Sequence, residues 1–159
     1  MRYFGSILVM LAVGIWIGGI VCIAVFAQST FKVLGPEQRE LAGTATSRMF
    51  VLFGWIQLIC AAAGLLGAFL IYTTTRRAIV VTLFFAIAIA AVGAVGYHQW
   101  LVPKMEGLRL TGKSTVDEFN QLHHISRYLL QGVGFALLIA LIMLPAAWRD
   151  RPTKTQAIE

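Results

Sequence analysis

The residues of this chain with the chemistry to bind or react are gathered in a few places. They are His98, His123 and His124, with Gln57, Gln99, Gln131, Tyr97 and Tyr128 set among long apolar runs. Helical spacing sorts the histidines. Phe119, Leu122, His123 and Ser126 fall at i, i+3, i+4 and i+7, a single helix face that continues to Leu130 and Gly134. His123 is therefore expected to tuck against neighbouring helices. His124 lies about 100° further round, sharing its stripe with Tyr128 and Gln131. Three readings follow. Two imidazoles from facing helices, His98 and His123, are enough to ligate a haem b, but without a carboxylate or thiolate they suit a bare metal ion poorly. Gln57, Gln99, His124, Tyr128 and Gln131 form a polar outer pocket for a solute or proton. In the third reading the same groups only bond between helices and anchor them at the interface. No nucleophile and base stand at a spacing that suggests a catalytic centre, so no catalytic residue is assigned and no enzymatic activity is expected.

One motif is set aside on mechanism. Gly107-Leu108-Arg109-Leu110-Thr111-Gly112-Lys113-Ser114 fits the phosphate-binding loop pattern letter for letter. That loop works between a strand and a helix of a parallel sheet. Here the preceding element is an apolar helix and nothing remains to build a sheet, so no nucleotide is expected.

The elements that must carry these residues are written in the charges. Residues 3–31, 49–75, 78–103 and 128–148 contain no Asp, Glu, Lys or Arg. A membrane-crossing helix takes about 20 apolar residues to traverse a core ~30 Å thick, so each window holds one crossing and none holds two. With 58% apolar and 13% charged residues, against about 25% charged in soluble domains, the chain is expected to be all-α. It is read as a single integral membrane four-helix bundle over residues 1–159. Helices are predicted at 3–27, 49–72, 78–102 and 115–148, the membrane part of the last being 127–148. Glu37–Arg48 is compatible with a helical lead into the second span, and Pro103 is expected to end the third. Ser114 with Asp117 and Thr115 with Glu118 make two overlapping capping boxes for the fourth. The first apolar run is too long for a cleaved signal core and is expected to stay as a span.

Net charge is +6, and in this setting it speaks of topology rather than nucleic acid. With four crossings both termini share one side, which carries Arg2, Arg76, Arg77, Arg149, Arg151 and Lys154 in short segments. The other side spreads its basic residues over two longer loops mixed with acids. The positive-inside rule then puts both termini in the cytoplasm, and the setting is read as a bacterial inner membrane. Cys22 and Cys60 lie ~8 Å and ~17 Å from the outer ends of their helices, depths too different for a disulfide. Small residues spaced by four are expected at the helix contacts, as Gly14 and Gly18, Cys60, Gly64 and Ala68, Ala86, Ala90 and Ala94, and Gly132, Ala136 and Ala140.

Several short elements give the chain a resemblance. Trp16-Ile17-Gly18-Gly19 is followed by Phe26 and Phe31, then Leu41-Ala42-Gly43 and Met49-Phe50. Tyr97 precedes Leu101-Val102-Pro103-Lys104-Met105 and Leu108-Arg109, and the last helix opens with Phe119-x-x-Leu122-His123-x-x-Ser126. Over nearly its whole length the chain resembles the transmembrane protein 205-like proteins, small four-helix membrane proteins largely of unknown function. More distantly it is similar to copper-resistance D proteins. The resemblance implies the four-helix fold, a membrane location and, loosely, drug or metal tolerance. It carries over His123 but neither His98 nor His124. Membrane protoporphyrinogen oxidases are similar in size and helix count alone. The expected function is thus a non-enzymatic transport or tolerance factor, or an accessory subunit of a larger membrane complex. A haem b redox protein is the alternative. Lipid is the certain partner, and further subunits or a second copy are the candidate ones.

Overall fold

The computed structural model describes residues 1–112 and 117–148. Among them every regular element is helical. Helix α1 spans Arg2–Leu34, a short 3-10 turn covers Pro36–Gln38, and α2 runs Arg39–Thr75. Helix α3, Ala78–Gly96, passes through a π-helical turn, Tyr97–Leu101, into α4, Val102–Leu110, and α5 spans Asp117–Trp148. Four of these rods (α1, α2 with its 3-10 lead, α3 continued through α4, and α5) are long and apolar enough to cross a membrane. With the large apolar side chains that cover the outside, such as Phe69, Phe85, Ile89, Val92, Phe135 and Ile142, this makes the chain an integral membrane four-helix bundle.

The helices begin and end for local reasons. Gly35 holds φ +69 with ψ −179, a conformation essentially reserved for glycine. It breaks the chain between α1 and the 3-10 turn, where Pro36 takes the first position. At the other end of α2, Arg76 is left-handed and its N–H bonds to Tyr72 O at 3.0 Å. Thr73, Thr74 and Thr75 turn their hydroxyls back onto the Leu70 and Ile71 carbonyls. Only Arg76 and Arg77 then link α2 to α3.

The helices outrun the bounds read from the charge-free windows. α1 continues past residue 27 to Leu34, and α2 takes up residues 39–48, the helical lead expected there. Pro103 does not end the third span. The five-residue turn before it widens the helix where the proline ring would otherwise strike a carbonyl, and the chain stays helical to Leu110. Gly107, expected in a loop, is therefore helical, as are Leu108, Arg109 and Leu110. The capping residues Ser114 and Thr115, Lys113, and the tail from residue 149 lie outside the described residues.

Helix α1 packs along α2, α2 on α3 and α3 on α5, while α1 and α5 touch least. The α1–α2 contact is backbone on backbone. A Cβ on Gly67 would meet Gly5 O at 2.6 Å, and one on Gly5 would meet Gly67 O at 2.7 Å. Ala12 faces Gly64 and Phe53 lies on Gly19. The small-residue stripes of α2 and α3 are buried as expected, and so are Ala136 and Ala140 of α5. Gly14, Gly18 and Gly132 are not at contacts, and nothing lies within 4 Å of the Cβ each lacks. The contact face of α1 runs instead through Gly5, Val9, Ala12, Val13 and Trp16. Both cysteines are free, Cys22 exposed and Cys60 buried.

The main core centres on Trp16, Ile71, Leu83, Ile87 and Leu137. A smaller one, Tyr97, Leu101 and Leu122 with Phe50, Met105 and Leu130 around it, sits at the end of the bundle away from the termini. At the terminal end α1 and α5 are tied, Arg2 Nη2 donating to Ala147 O at 3.4 Å. Towards the other end α1 loses its cover, and beyond Trp16 only Ile23 is buried. The α1–α5 side of the bundle is its least engaged.

Candidate functional site

At the end away from the termini the helices diverge around a cavity of about 210 Å³. Its walls come from four rods: Phe31 of α1, Gly43 to Phe50 of α2, Tyr97 to Arg109 of the π turn and α4, and Phe119 to Leu130 of α5. The lining is divided by depth. Phe31, Phe50, Tyr97, Val102 and Leu130 belong to the charge-free windows. Thr46, Ser47, Glu106, Arg109, His123, Ser126 and Arg127 lie just beyond them. The cavity thus straddles the level at which hydrocarbon gives way to headgroups.

Its polar rim is braced by its own side chains. Arg109 grips Glu106 with two bonds, Nη2 to Oε1 at 2.8 Å and Nε to Oε2 at 3.1 Å, the fork geometry that suits guanidinium and carboxylate. Its Nη1 reaches across to Thr44 Oγ1 at 2.5 Å, and Ser47 Oγ donates to Glu106 Oε2 at 2.5 Å. Four side chains thereby lock α4 to α2, with the charges of Glu106 and Arg109 offsetting one another. The Lys104–Glu118 pair at 3.0 Å joins α4 to α5 outside the cavity. Two rim groups remain uncommitted. Arg127 is exposed and pairs with no described acid. Thr46 is 6% exposed and its hydroxyl has no hydrogen-bond partner.

The sequence-predicted residues distribute unevenly. His123 lines the cavity but is not tucked inward, because Leu122 and Ser126 take the buried face of α5. Ser126 Oγ donates to His123 O at 2.7 Å, holding that turn. His98 points elsewhere, its ring 5.0 Å from that of Trp55 and its Nδ1 pressed against Gly54 of α2. It is not part of the cavity wall, so the cavity receives one of the two candidate haem ligands. Among the described residues no three of His, Cys, Asp and Glu cluster in a way that could hold a metal ion. Gln99, His124, Tyr128 and Gln131 are all exposed and none lines the cavity. The inward stripe of α5 passes through 122, 126, 130 and 133, and 124, 128 and 131 lie off it.

Gln57 is the opposite case. It is fully buried, and neither its amide oxygen nor its nitrogen finds a partner. Thr46, Phe50, Phe53 and Gln57 follow one face of α2, so Gln57 lies ~16 Å below the Thr46 rim. The glycine contacts set Trp16 of α1 at its level, and Trp16 Nε1 is likewise buried and unpartnered.

The rim residues Thr46, Ser47 and Glu106 escaped the reading of the sequence, which looked for polar residues inside charge-free windows. The usable signal was Glu106 with Arg109 at i, i+3 on a stretch of helical composition.

Comparison with known proteins adds a family and little else. No curated protein and no solved structure matches the chain. The model of one protein family, described as a domain of unknown function, DUF4149, matches residues 11–114. That stretch takes in most of α1, all of α2, α3 and α4, and ends just before α5. It includes the α2 and α4 walls of the cavity and leaves out the wall that carries His123 and Arg127. Covering most of the chain and three of its four membrane helices, the match makes this protein a member of the DUF4149 family.

Proposed function

We propose that this protein is a non-enzymatic binding protein of the bacterial inner membrane. In this reading both termini are cytoplasmic and the cavity faces outward. The protein takes up a small molecule there as a transport or tolerance factor. The observation that carries the reading is the cavity itself, with its apolar walls, its internally braced polar rim and two uncommitted rim groups. Pockets of this make-up, mostly apolar with a few convergent polar groups, are the usual form of a small-molecule site. The elements that give the chain its transmembrane protein 205-like resemblance supply much of the lining, among them Gly43, Phe50, Tyr97, Met105, Arg109 and His123. That concentration favours a binding role shared with such proteins over plain bundle packing.

Gly43 provides the test. It lines the cavity, and a Cβ there would meet nothing within 4 Å, so Gly43→Leu fills the space without striking backbone. Full-length wild type and variant are purified from native membranes and their organic extracts compared by mass spectrometry. At least one molecule retained near stoichiometry by the wild type and lost from the variant is expected. Identical extracts would overturn the proposal. A Soret band in wild type expressed with ample haem, lost in both His98→Ala and His123→Ala, would replace it with the haem reading.

A further inference from the structure

Resting on that reading, we infer that the cavity holds the anionic headgroup of a membrane lipid, whose tails lie along the thinly engaged α1–α5 side of the bundle. Three independent features point there. The first is size. Pockets that enclose drug-sized ligands run to ~300–1,000 Å³, and about 210 Å³ takes one end of a lipid and no more. The tails of such a lipid then lie outside the cavity.

The second is the way in. Cover on α1 thins beyond Trp16, and α1 and α5 are the least engaged neighbours in the bundle. Phe31, which lines the cavity, is 40% exposed, and Ile20, Ala24 and Ala27 continue its face down α1 as a partly covered apolar edge. An acyl chain lying along that edge never leaves hydrocarbon, while its head reaches the rim at headgroup level.

The third is charge. The Glu106–Arg109 pair is self-neutralised and fixed to Thr44 and Ser47. The net charge offered to an occupant therefore comes from Arg127, with the Thr46 hydroxyl and the His123 imidazole as further hydrogen-bonding groups. A cation and a buried hydroxyl donor suit a phosphate or carboxylate oxygen. A zwitterionic head would bring a second cation to a rim whose only acid is already taken. Headgroup level is also where a single basic residue attracts anionic lipid.

The test uses the full chain in detergent, offered equimolar phosphatidylglycerol and phosphatidylcholine and read by native mass spectrometry. One phosphatidylglycerol should be retained about tenfold over phosphatidylcholine, the order expected of one charge-assisted contact. Arg127→Gln should reduce that preference to about twofold or less. Lys104→Gln, whose partner is Glu118 outside the cavity, should leave it intact. Glycerol phosphate at millimolar concentration should not displace the lipid, since the tails contribute the rest of the binding. Equal retention of both lipids by the wild type would overturn the anionic class, as would a preference that survives Arg127→Gln. Displacement by glycerol phosphate would mark a free-anion site instead. The broader binding role fails separately: a co-purifying molecule other than lipid, lost in Gly43→Leu, sinks only the lipid inference, whereas identical extracts sink both.

Discussion

Gln57 carries an amide into the middle of the bundle and leaves both of its polar atoms unmatched. An unsatisfied buried polar group costs about 1–3 kcal/mol, and an apolar replacement of similar size removes that penalty. Gln57→Leu should therefore stabilise the purified protein by about 1–2 kcal/mol, seen as a higher unfolding midpoint in a detergent or denaturant titration. An unchanged or lowered midpoint would show that the amide is satisfied in the membrane. A second residue-scale contrast separates contact glycines from idle ones. Gly67→Ala drives a methyl into the Gly5 carbonyl and Val9 and should cost about 1–3 kcal/mol. Gly14→Ala meets nothing and should be neutral or stabilising by up to about 1 kcal/mol through helix propensity. The same titration ranks the two. Spacing of four identified Gly14 and Gly18 as a stripe, but all four helices carry small residues on several stripes. Which one a partner approaches depends on crossing geometry that periodicity does not encode. His123 illustrates the same limit. The right turn of helix was legible, but one residue of rotation decides whether Leu122 or His123 takes the buried position.

At the scale of elements, the charge-free windows located all four spans, because a span must exclude charge from hydrocarbon. The helical extensions beyond them were less visible, since outside the bilayer a helix has no such obligation; the composition of residues 39–48 still read as a helical lead, whereas the run of α1 on to Leu34 did not. The π turn was not visible at all. Proline normally ends a helix, and nothing in Tyr97 to Leu101 announces the wider turn that lets α4 continue. That turn sets the rim. It adds one residue to a single helical turn, offsetting α4 by about 100° from an unbroken α3, and in that phase Glu106 and Arg109 face Ser47 and Thr44. Deleting the exposed Gln99 should restore α-helical phase and swing the pair away. With Cys22 and Cys60 replaced by alanine, Ser47→Cys and Glu106→Cys should be joined by a short bis-thiol reagent in the full-length chain. They should not be joined in the deletion, and cross-linking retained after the deletion would contradict this role for the turn.

The molecule as a whole is a bundle tied at one end by Arg2 on Ala147 and parted at the other around the cavity. The proposed orientation makes a direct prediction in intact cells. In the same cysteine-free background, Glu37→Cys near the cavity end should react with a membrane-impermeant thiol reagent and Thr74→Cys should not, with the reverse pattern inverting the topology. The rods are longer than the barrier they cross. α1, with 33 residues, is ~50 Å long against ~30 Å of hydrocarbon, so the bundle can ride at more than one height. The rim of the cavity is fixed to the helices, whereas the lipid headgroups are fixed to the bilayer surface. Long acyl chains lift the surface past the rim and short ones drop it below, so hydrophobic mismatch alone would change how well the two meet. Occupancy of the cavity should therefore peak at one membrane thickness and fall on either side, making bilayer thickness itself a variable to which this protein responds.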